Sequence, residues 1–327
     1  MPLSCTNPNC YPQDRECQEG CRPFNQCPNL SRNENAPDAN PTEASTTELD
    51  GQRVNWTGSA MGLTDLQSLT ARSRILLIGL VGMENAGKTT FLALLYSLLR
   101  RGQSINYYRF AGSYTLSGWE LITSFLTFEN GSNQVTFPPH TSRNAGRIPG
   151  LLHLALKNKA DYLLDVVFTD APGEWFNEWR SYRQADNAVG AEWIHHHGDG
   201  FLLFADCEEL AGINRGITRT NIQMIADRLV VNLGSKPLGL VWSKSDVENT
   251  RPAMREKIQS HIQTKAPQHY QEFSVSVMQN DPQWHQQVLQ AVGWLLDTIE
   301  HAADQQVPTI PLADTDDLFL LRRSVLV

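Results

Sequence analysis

The stretch RILLIGLVGMENAGKTTFLALLYSLLRRG, residues 74–102, decides how this chain folds. Its first part, RILLIGLVG (74–82), is a continuous apolar run ending in glycine, the pattern of a strand buried on both faces. Its last part, TTFLALLYSLLRRG (89–102), places apolar residues at 91, 92, 94, 95, 98 and 99, which form one broad helical face. Arg100, Arg101 and Gly102 then stop the helix. Between them lies GMENAGKT (82–89), which is G-x4-G-K-T. Set between a strand and a helix, this loop is built to cradle phosphate. Gly82 and Gly87 let the backbone turn tightly, so N–H groups along Asn85, Ala86, Gly87, Lys88, Thr89 and Thr90 face phosphate oxygens. The helix N-terminus adds a partial positive charge. Lys88 is expected to reach the outer phosphates and the Thr89 hydroxyl to bind Mg²⁺.

Working outward, the same alternation repeats. LLHLALK (151–157) and YLLDVVFTD (162–170) read as two strands joined by NKAD, a hairpin. GFLLFAD (200–206) and PLGLVWS (237–243) read as buried strands, and EFSVSVM (272–278) as a short one. Helices are expected near 119–128, 215–232, 252–264 and 283–303. This order gives an α/β fold with a mostly parallel sheet and helices on both faces. The long interval 103–140 is an insertion, expected to hold extra helix or a lid.

Two further stretches carry chemistry. YLLDVVFTDAPGE (162–174) is a strand ending in D-x-x-G. Asp170 is placed to hold Mg²⁺, and the Gly173 N–H to meet a terminal phosphate, so that hydrolysis is felt by the segment that follows. LVWSKSD (240–246) ends the second strand after it. Asp246 could accept two hydrogen bonds from guanine N1 and N2, a pair that adenine lacks. The Lys244 stem would cover the base face, and Ser243 stands where Asn or Thr is usual.

IGLVGMENAGKTTFLALLY, FTDAPGEWFNEW, GFLLFAD and VWSKSD together resemble the translation-factor-like class of P-loop GTPases. They are most similar to the second subgroup of the bacterial double-GTPase group, over about residues 74–303. The resemblance implies a Ras-like fold, binding of GTP or GDP with Mg²⁺, slow hydrolysis and a switch in shape. It also implies a protein effector, a second GTPase as a separate molecule, and a place in bacterial conflict or defence. In that pattern a switch threonine joins the Mg²⁺ shell. Thr141 is preferred, because its loop shortly precedes the strand at 151; Thr115 and Thr136 compete. Glu174 follows the glycine where Ras-like proteins carry Gln. It would orient water while repelling phosphate, which implies slow turnover. Arg143 or Arg147 could serve as an internal arginine finger. An ATPase and a nucleotide-bound scaffold without hydrolysis are the competing readings.

The remaining features bound the problem. The chain has 327 residues, 41% of them hydrophobic, and a net charge of −8. An acidic chain without a Lys/Arg cluster is a poor nucleic-acid binder. No apolar run reaches the roughly 20 residues of a membrane span, and MPLSCTNPNC lacks the apolar core of a signal peptide, so a cytoplasmic protein is expected. Five of six cysteines fall at 5, 10, 17, 21 and 27. Without secretion, metal is the better reading than disulfides. Cys5, Cys10, Cys17 and Cys21 would close a zinc tetrahedron, with free thiols the alternative. The expected organisation is a Cys-rich module at 1–30, a linker at 31–70, the phosphate-loop domain at 71–304 and a tail at 305–327. His195, His196 and His197 are expected in a polar loop rather than a metal site. Trp175 and Trp179, four apart, would share a helical face.

Overall fold

The computed structural model describes residues 3–5, 30–32, 60–70, 73–126, 150–182, 188–247, 252–266, 269–278 and 282–305. The chain divides into two compact units, Met1–Val54 and Asn55–Val327. In the first, β1 (Leu3–Cys5) and β2 (Leu30–Arg32) pair antiparallel, with Cys5 opposite Leu30. The pairing therefore joins the two ends of the Cys-rich stretch. Cys10, Cys17, Cys21 and the Cys5 side chain lie outside the described residues, as does the tail after Gln305.

The second unit begins with helix α1 (Leu63–Thr70), within the stretch expected as linker. Met61 bridges to Leu151 of the sheet, and Leu69 is buried against Leu77 and Val167. Met61 and Leu69 thus pack on the sheet of the second unit. Then follow β3 (Ile75–Val81), α2 (Lys88–Arg100), β4 (Arg109–Gly112), α3 (Leu116–Ser124), β5 (Gly150–Lys157) and β6 (Leu163–Asp170). Helices α4 (Gly173–Ser181) and α5 (Val189–His197) lead to β7 (Gly200–Asp206), α6 (Cys207–Ala211) and α7 (Arg215–Val230). The series closes with β8 (Leu238–Ser243), α8 (Pro252–Lys265), β9 (Tyr270–Ser274) and α9 (Pro282–Gln305).

The strands form one seven-stranded sheet in the order β4-β5-β6-β3-β7-β8-β9. β6, β3, β7, β8 and β9 run parallel, while β5 is antiparallel to β6 and β4 to β5. The hairpin expected from NKAD is present: Asn158 Oδ1 accepts from the N–H groups of Ala160 and Tyr162. The parallel strands read as apolar runs because both sheet faces are covered. Leu76, Ile78 and Leu80 of β3 face a core shared with α2 and α9. Val81 and Ala171 face the other core, built with α4, α5, α7 and α8.

The insertion holds β4 and α3 rather than helix alone, and residues 127–149 lie outside the described ones. Trp119 of α3 is fully buried, and its indole N–H donates to the His153 carbonyl at 2.7 Å. Ser113 donates to the same carbonyl at 2.6 Å, and the His153 N–H donates to Thr115 Oγ1 at 2.9 Å. Inside this knot His153 Nδ1 accepts the Tyr114 N–H, so Nε2 carries the proton that meets Asp165 Oδ1 at 2.8 Å. Ser73 closes the network on the other oxygen of Asp165. The insertion is thereby sewn to β5 by polar groups that no hydrophobic pattern reveals.

Candidate functional site

The loops that follow β3, β6, β7 and β8 all leave the carboxyl edge of the parallel sheet, where such folds bind ligands. The phosphate loop is the centre. Asn85 and Gly87 take left-handed backbone, φ 60° and 84°, which folds the loop back over the start of α2. Ala86 N–H closes a turn on the Met83 carbonyl, and the Phe91 N–H reaches the Gly87 carbonyl. Gly82 needs its small size as well: a Cβ there would sit 3.0 Å from Phe204 Cβ.

Lys88 is almost fully buried. Its ammonium donates to the carbonyls of Gly82 at 2.9 Å and Met83 at 3.0 Å, and lies 5.7 Å from the Phe176 ring centre. Burial pulls its pKa from 10.5 down to about 8; the nearby carboxylates of Asp170, Glu174 and Glu84 oppose that shift without cancelling it. Glu174 is therefore within electrostatic reach of Lys88, in the first turn of α4.

Thr89 and Asp170, expected to share a cation, are brought together although 81 residues apart: Thr89 Oγ1 donates to Asp170 Oδ1 at 2.9 Å. Two hard oxygens on rigid elements are the donor set that Mg²⁺ takes, with the remaining positions left to water and phosphate. Gly173, the first residue of α4, presses on the phosphate loop itself. A Cβ on it would fall 2.2 Å from Glu84 N and 2.5 Å from Met83 C. Thr141, Thr136, Arg143 and Arg147 lie outside the described residues. Thr115, their competitor, is fully buried and engaged with His153.

The base-reading candidates occupy the turn after β8. Ser243 is buried, donates to the Ala205 carbonyl at 3.3 Å, and would touch a Cβ on Gly87 at 3.5 Å. Lys244 adopts φ 51°, uncommon for a residue with a side chain. Its ammonium meets Asp206 Oδ2 and Glu208 Oε2, both at 2.8 Å. Burial would lower its pKa, but the hydrogen bonds it donates to these two carboxylates, with their charge, outweigh that and raise it. Asp246 Oδ1 accepts the Ser276 hydroxyl at 2.5 Å.

Three of these supporting residues escaped the sequence reading. Asp206 caps α6 through the N–H groups of Glu208 and Glu209 while holding Lys244. Glu208 completes the clamp. Ser276 sits in a stretch expected to be strand, but β9 ends at Ser274. The chain turns there because Val275 N–H donates to Trp242 O and Val275 O accepts the Ser245 N–H, which places Ser276 under the loop. The strand-ending D of GFLLFAD beside K-S-D was the available signal for Asp206.

One expectation is corrected. The three histidines end helix α5 rather than lying in a loop. His195 is buried on the Leu229 carbonyl, His196 pairs with Glu192, and His197 stacks on Trp193. Their neighbours in the helix, Ala191 and Ile194, bury the face that winds them into the core. Among the described residues no cluster of three or more metal-ligating side chains occurs. Trp175 and Trp179 share the buried face of α4, and Trp179 donates to Glu192 at 2.6 Å.

Fold and site together define a phosphate-loop α/β protein. Within that class, the Double-GTPase 2 family profile matches residues 76–295, and the chain belongs to that family. A search of curated proteins finds no match. Among solved structures, the small GTPase Arl6 (BBS3) of Trypanosoma brucei, bound to the nucleotide analogue GppNp, is 12% identical with a TM-score of 0.38. That alignment covers 70% of this chain and 99% of Arl6. Nucleolar GTP-binding protein 1 of Plasmodium falciparum is 15% identical with a TM-score of 0.41, covering 71% of this chain and 93% of its own. At such scores these likenesses add nothing to the family assignment. Among the described residues no helix is long and apolar enough to cross a membrane.

Proposed function

We propose that the protein binds guanine nucleotide with Mg²⁺ and hydrolyses GTP slowly, as a molecular switch in the cytoplasm of a bacterial conflict or signalling system. The observation that carries this reading is the fixed position of Asp246. Ser276 holds one carboxylate oxygen from below, in a loop on the same sheet edge as Lys88 and the Thr89–Asp170 pair. The free carboxylate edge would accept guanine N1–H and N2–H, and Lys244, clamped by Asp206 and Glu208, would cover the base.

The bound cation would neutralise the phosphate oxygens, held by Thr89 and Asp170 with Thr141 as the switch ligand. Lys88 and the loop N–H groups would stabilise charge on the terminal phosphoryl group as water adds and the bond to the bridging oxygen breaks. The Gly173 N–H would report that group to α4. Glu174 favours the second reading, a nucleotide-bound scaffold with negligible turnover, because a carboxylate there repels the phosphate it must approach.

Competition binding tests the nucleotide. Asp246→Asn should weaken GTP sharply and leave ATP little changed; equal wild-type affinity for both overturns the guanine reading. Phosphate release beside a Lys88→Ala control tests turnover, and equal rates leave the scaffold reading standing. The Cys-rich module at 1–30 is proposed to hold zinc on Cys5, Cys10, Cys17 and Cys21, and to recruit a protein partner or second GTPase. Metal analysis of the full chain decides the zinc.

A further inference from the structure

Helices α7 and α8 pack side by side on the sheet face shared with α4 and α5. Between them lies an open cleft of about 440 Å³. Arg219 and Gln223, one turn apart on α7, face Lys257, His261 and Lys265, which recur at helical spacing along α8. The chain as a whole is acidic, so this concentration of cations is a local inversion.

One carboxylate answers it. Asp227 Oδ1 accepts from His261 Nε2 at 2.7 Å and from Lys265 Nζ, and is thereby spent on the two residues at one end. At the other end, Arg219 and Lys257 have no ion pair among the described residues. Arg219 Nε is buried with no hydrogen-bond partner. The residue itself is only partly buried and lines the cleft, so an anion there would meet a guanidinium whose Nε–H has no acceptor among the described residues. Around it the cleft is already organised. Gln223 Nε2 donates to the Lys257 carbonyl at 3.1 Å, which ties the two helices together, and the Ser260 hydroxyl lies 3.5 Å from the same carbonyl. Thr264 also lines the cleft.

We propose that this cleft binds a small phosphate ester. The Arg219 fork, planar and always charged, matches two phosphate oxygens, and Lys257 supplies a second point charge. A volume in the range of small-molecule pockets exceeds what a bare ion needs, and the amide and hydroxyls suit the polar remainder of an ester. The basic side chains lining the cleft are Arg219, Lys257, His261 and Lys265, a footprint that fits a small ligand and not a nucleic-acid backbone. The inference stands apart from the guanine reading, because none of its residues belongs to the phosphate or base loops.

The test uses the ¹⁵N-labelled full chain without added nucleotide, titrated with glycerol 2-phosphate and, separately, glycerol and inorganic phosphate. The Arg219 Nε–H resonance is assigned by its loss in Arg219→Lys. A saturable shift of that resonance with the ester and none with glycerol is expected. Read from the backbone amide shifts of α7 and α8, Arg219→Lys and Lys257→Ala should each weaken binding about tenfold or more, with GDP affinity and melting temperature kept, since Lys cannot reproduce the fork. Absence of a saturable shift overturns the proposal, as does equal affinity in wild type and both variants. Inorganic phosphate binding as tightly as the ester reassigns the cleft to the free ion and overturns the ester.

Discussion

Lys88 offers a quantitative test of the phosphate loop without any ligand. Its ammonium is buried, and burial lowers its pKa to about 8 from 10.5. Below pH 8 the lysine is charged in both folded and unfolded chains, so the burial cost is present in full. Between pH 8 and 10.5 the folded chain has released the proton and the unfolded chain still holds it. Stability therefore rises with pH across that window. A shift of this size corresponds to roughly 3 kcal/mol, at about 1.4 kcal/mol per pH unit. Lys88→Met removes the titration. It also removes the partner of the Gly82 and Met83 carbonyls, a cost that does not vary with pH. The assay is urea unfolding of nucleotide-free wild type and variant at pH 7, 9 and 10. The tyrosines raised by burial, Tyr96 and Tyr108 among them, titrate alike in both proteins and cancel. Wild type should gain on the variant by about 2–3 kcal/mol between pH 7 and 10. A difference that stays constant within about 0.5 kcal/mol would refute the claim that the loop holds a strained, buried cation.

Gly173→Ala forces a Cβ to within 2.2 Å of the Glu84 backbone, where real contacts keep at least 3.0 Å. Overpacking of this kind costs about 1–3 kcal/mol, and a melting temperature within a degree of wild type would count against the close approach. Ser276→Ala takes the hydroxyl from Asp246, at about 1 kcal/mol. GTP affinity should fall about fivefold in competition binding while ATP affinity holds, and a parallel loss for both nucleotides would separate Ser276 from base reading. His195 is buried, which depresses its pKa, so the unfolded chain takes up the proton first as pH falls below about 6.5. Wild type should lose stability between pH 7 and 5 relative to His195→Phe; parallel urea midpoints would place the proton elsewhere.

The sequence made the parallel core legible because both faces of β3, β6, β7 and β8 are covered, and a doubly buried strand can only be an apolar run. The phosphate loop was legible for a related reason: its glycines, lysine and threonine are needed at fixed spacing by one short piece of backbone. What escaped was either too short to show a period or held by contacts distant in sequence. β4 is four residues at a sheet edge with a break in register after Phe110, too short to show a period. α1 and α5 are short helices whose place depends on Met61, Leu69 and Ile194 finding partners far along the chain. Ser276 lies 30 residues from Asp246, and nothing within either segment announces the pair.

The base loop shows how a departure at one position is balanced at others. Asn at position 243 would reach further than Ser. In this chain, however, β8 brings residue 243 so close to the phosphate loop that a Cβ on Gly87 would already touch it at 3.5 Å. The shorter hydroxyl spans the remaining gap to the Ala205 carbonyl instead and staples β8 to β7. On the guanine reading, precision in the loop must then come from its other members. Lys244 is fixed in a left-handed turn by two carboxylates of α6 and its cap, and Asp246 by a hydroxyl beyond β9. The anchors come from two strand ends, Ala205, Asp206 and Glu208 at the end of β7 and Ser276 beyond β9, so the loop is set by its neighbours on the sheet edge and not by its own four residues. Substituting Ser243 by Asn should therefore crowd Gly87 before it improves base reading, whereas loss of Asp206 should free Lys244 and unwind the cap of α6 together.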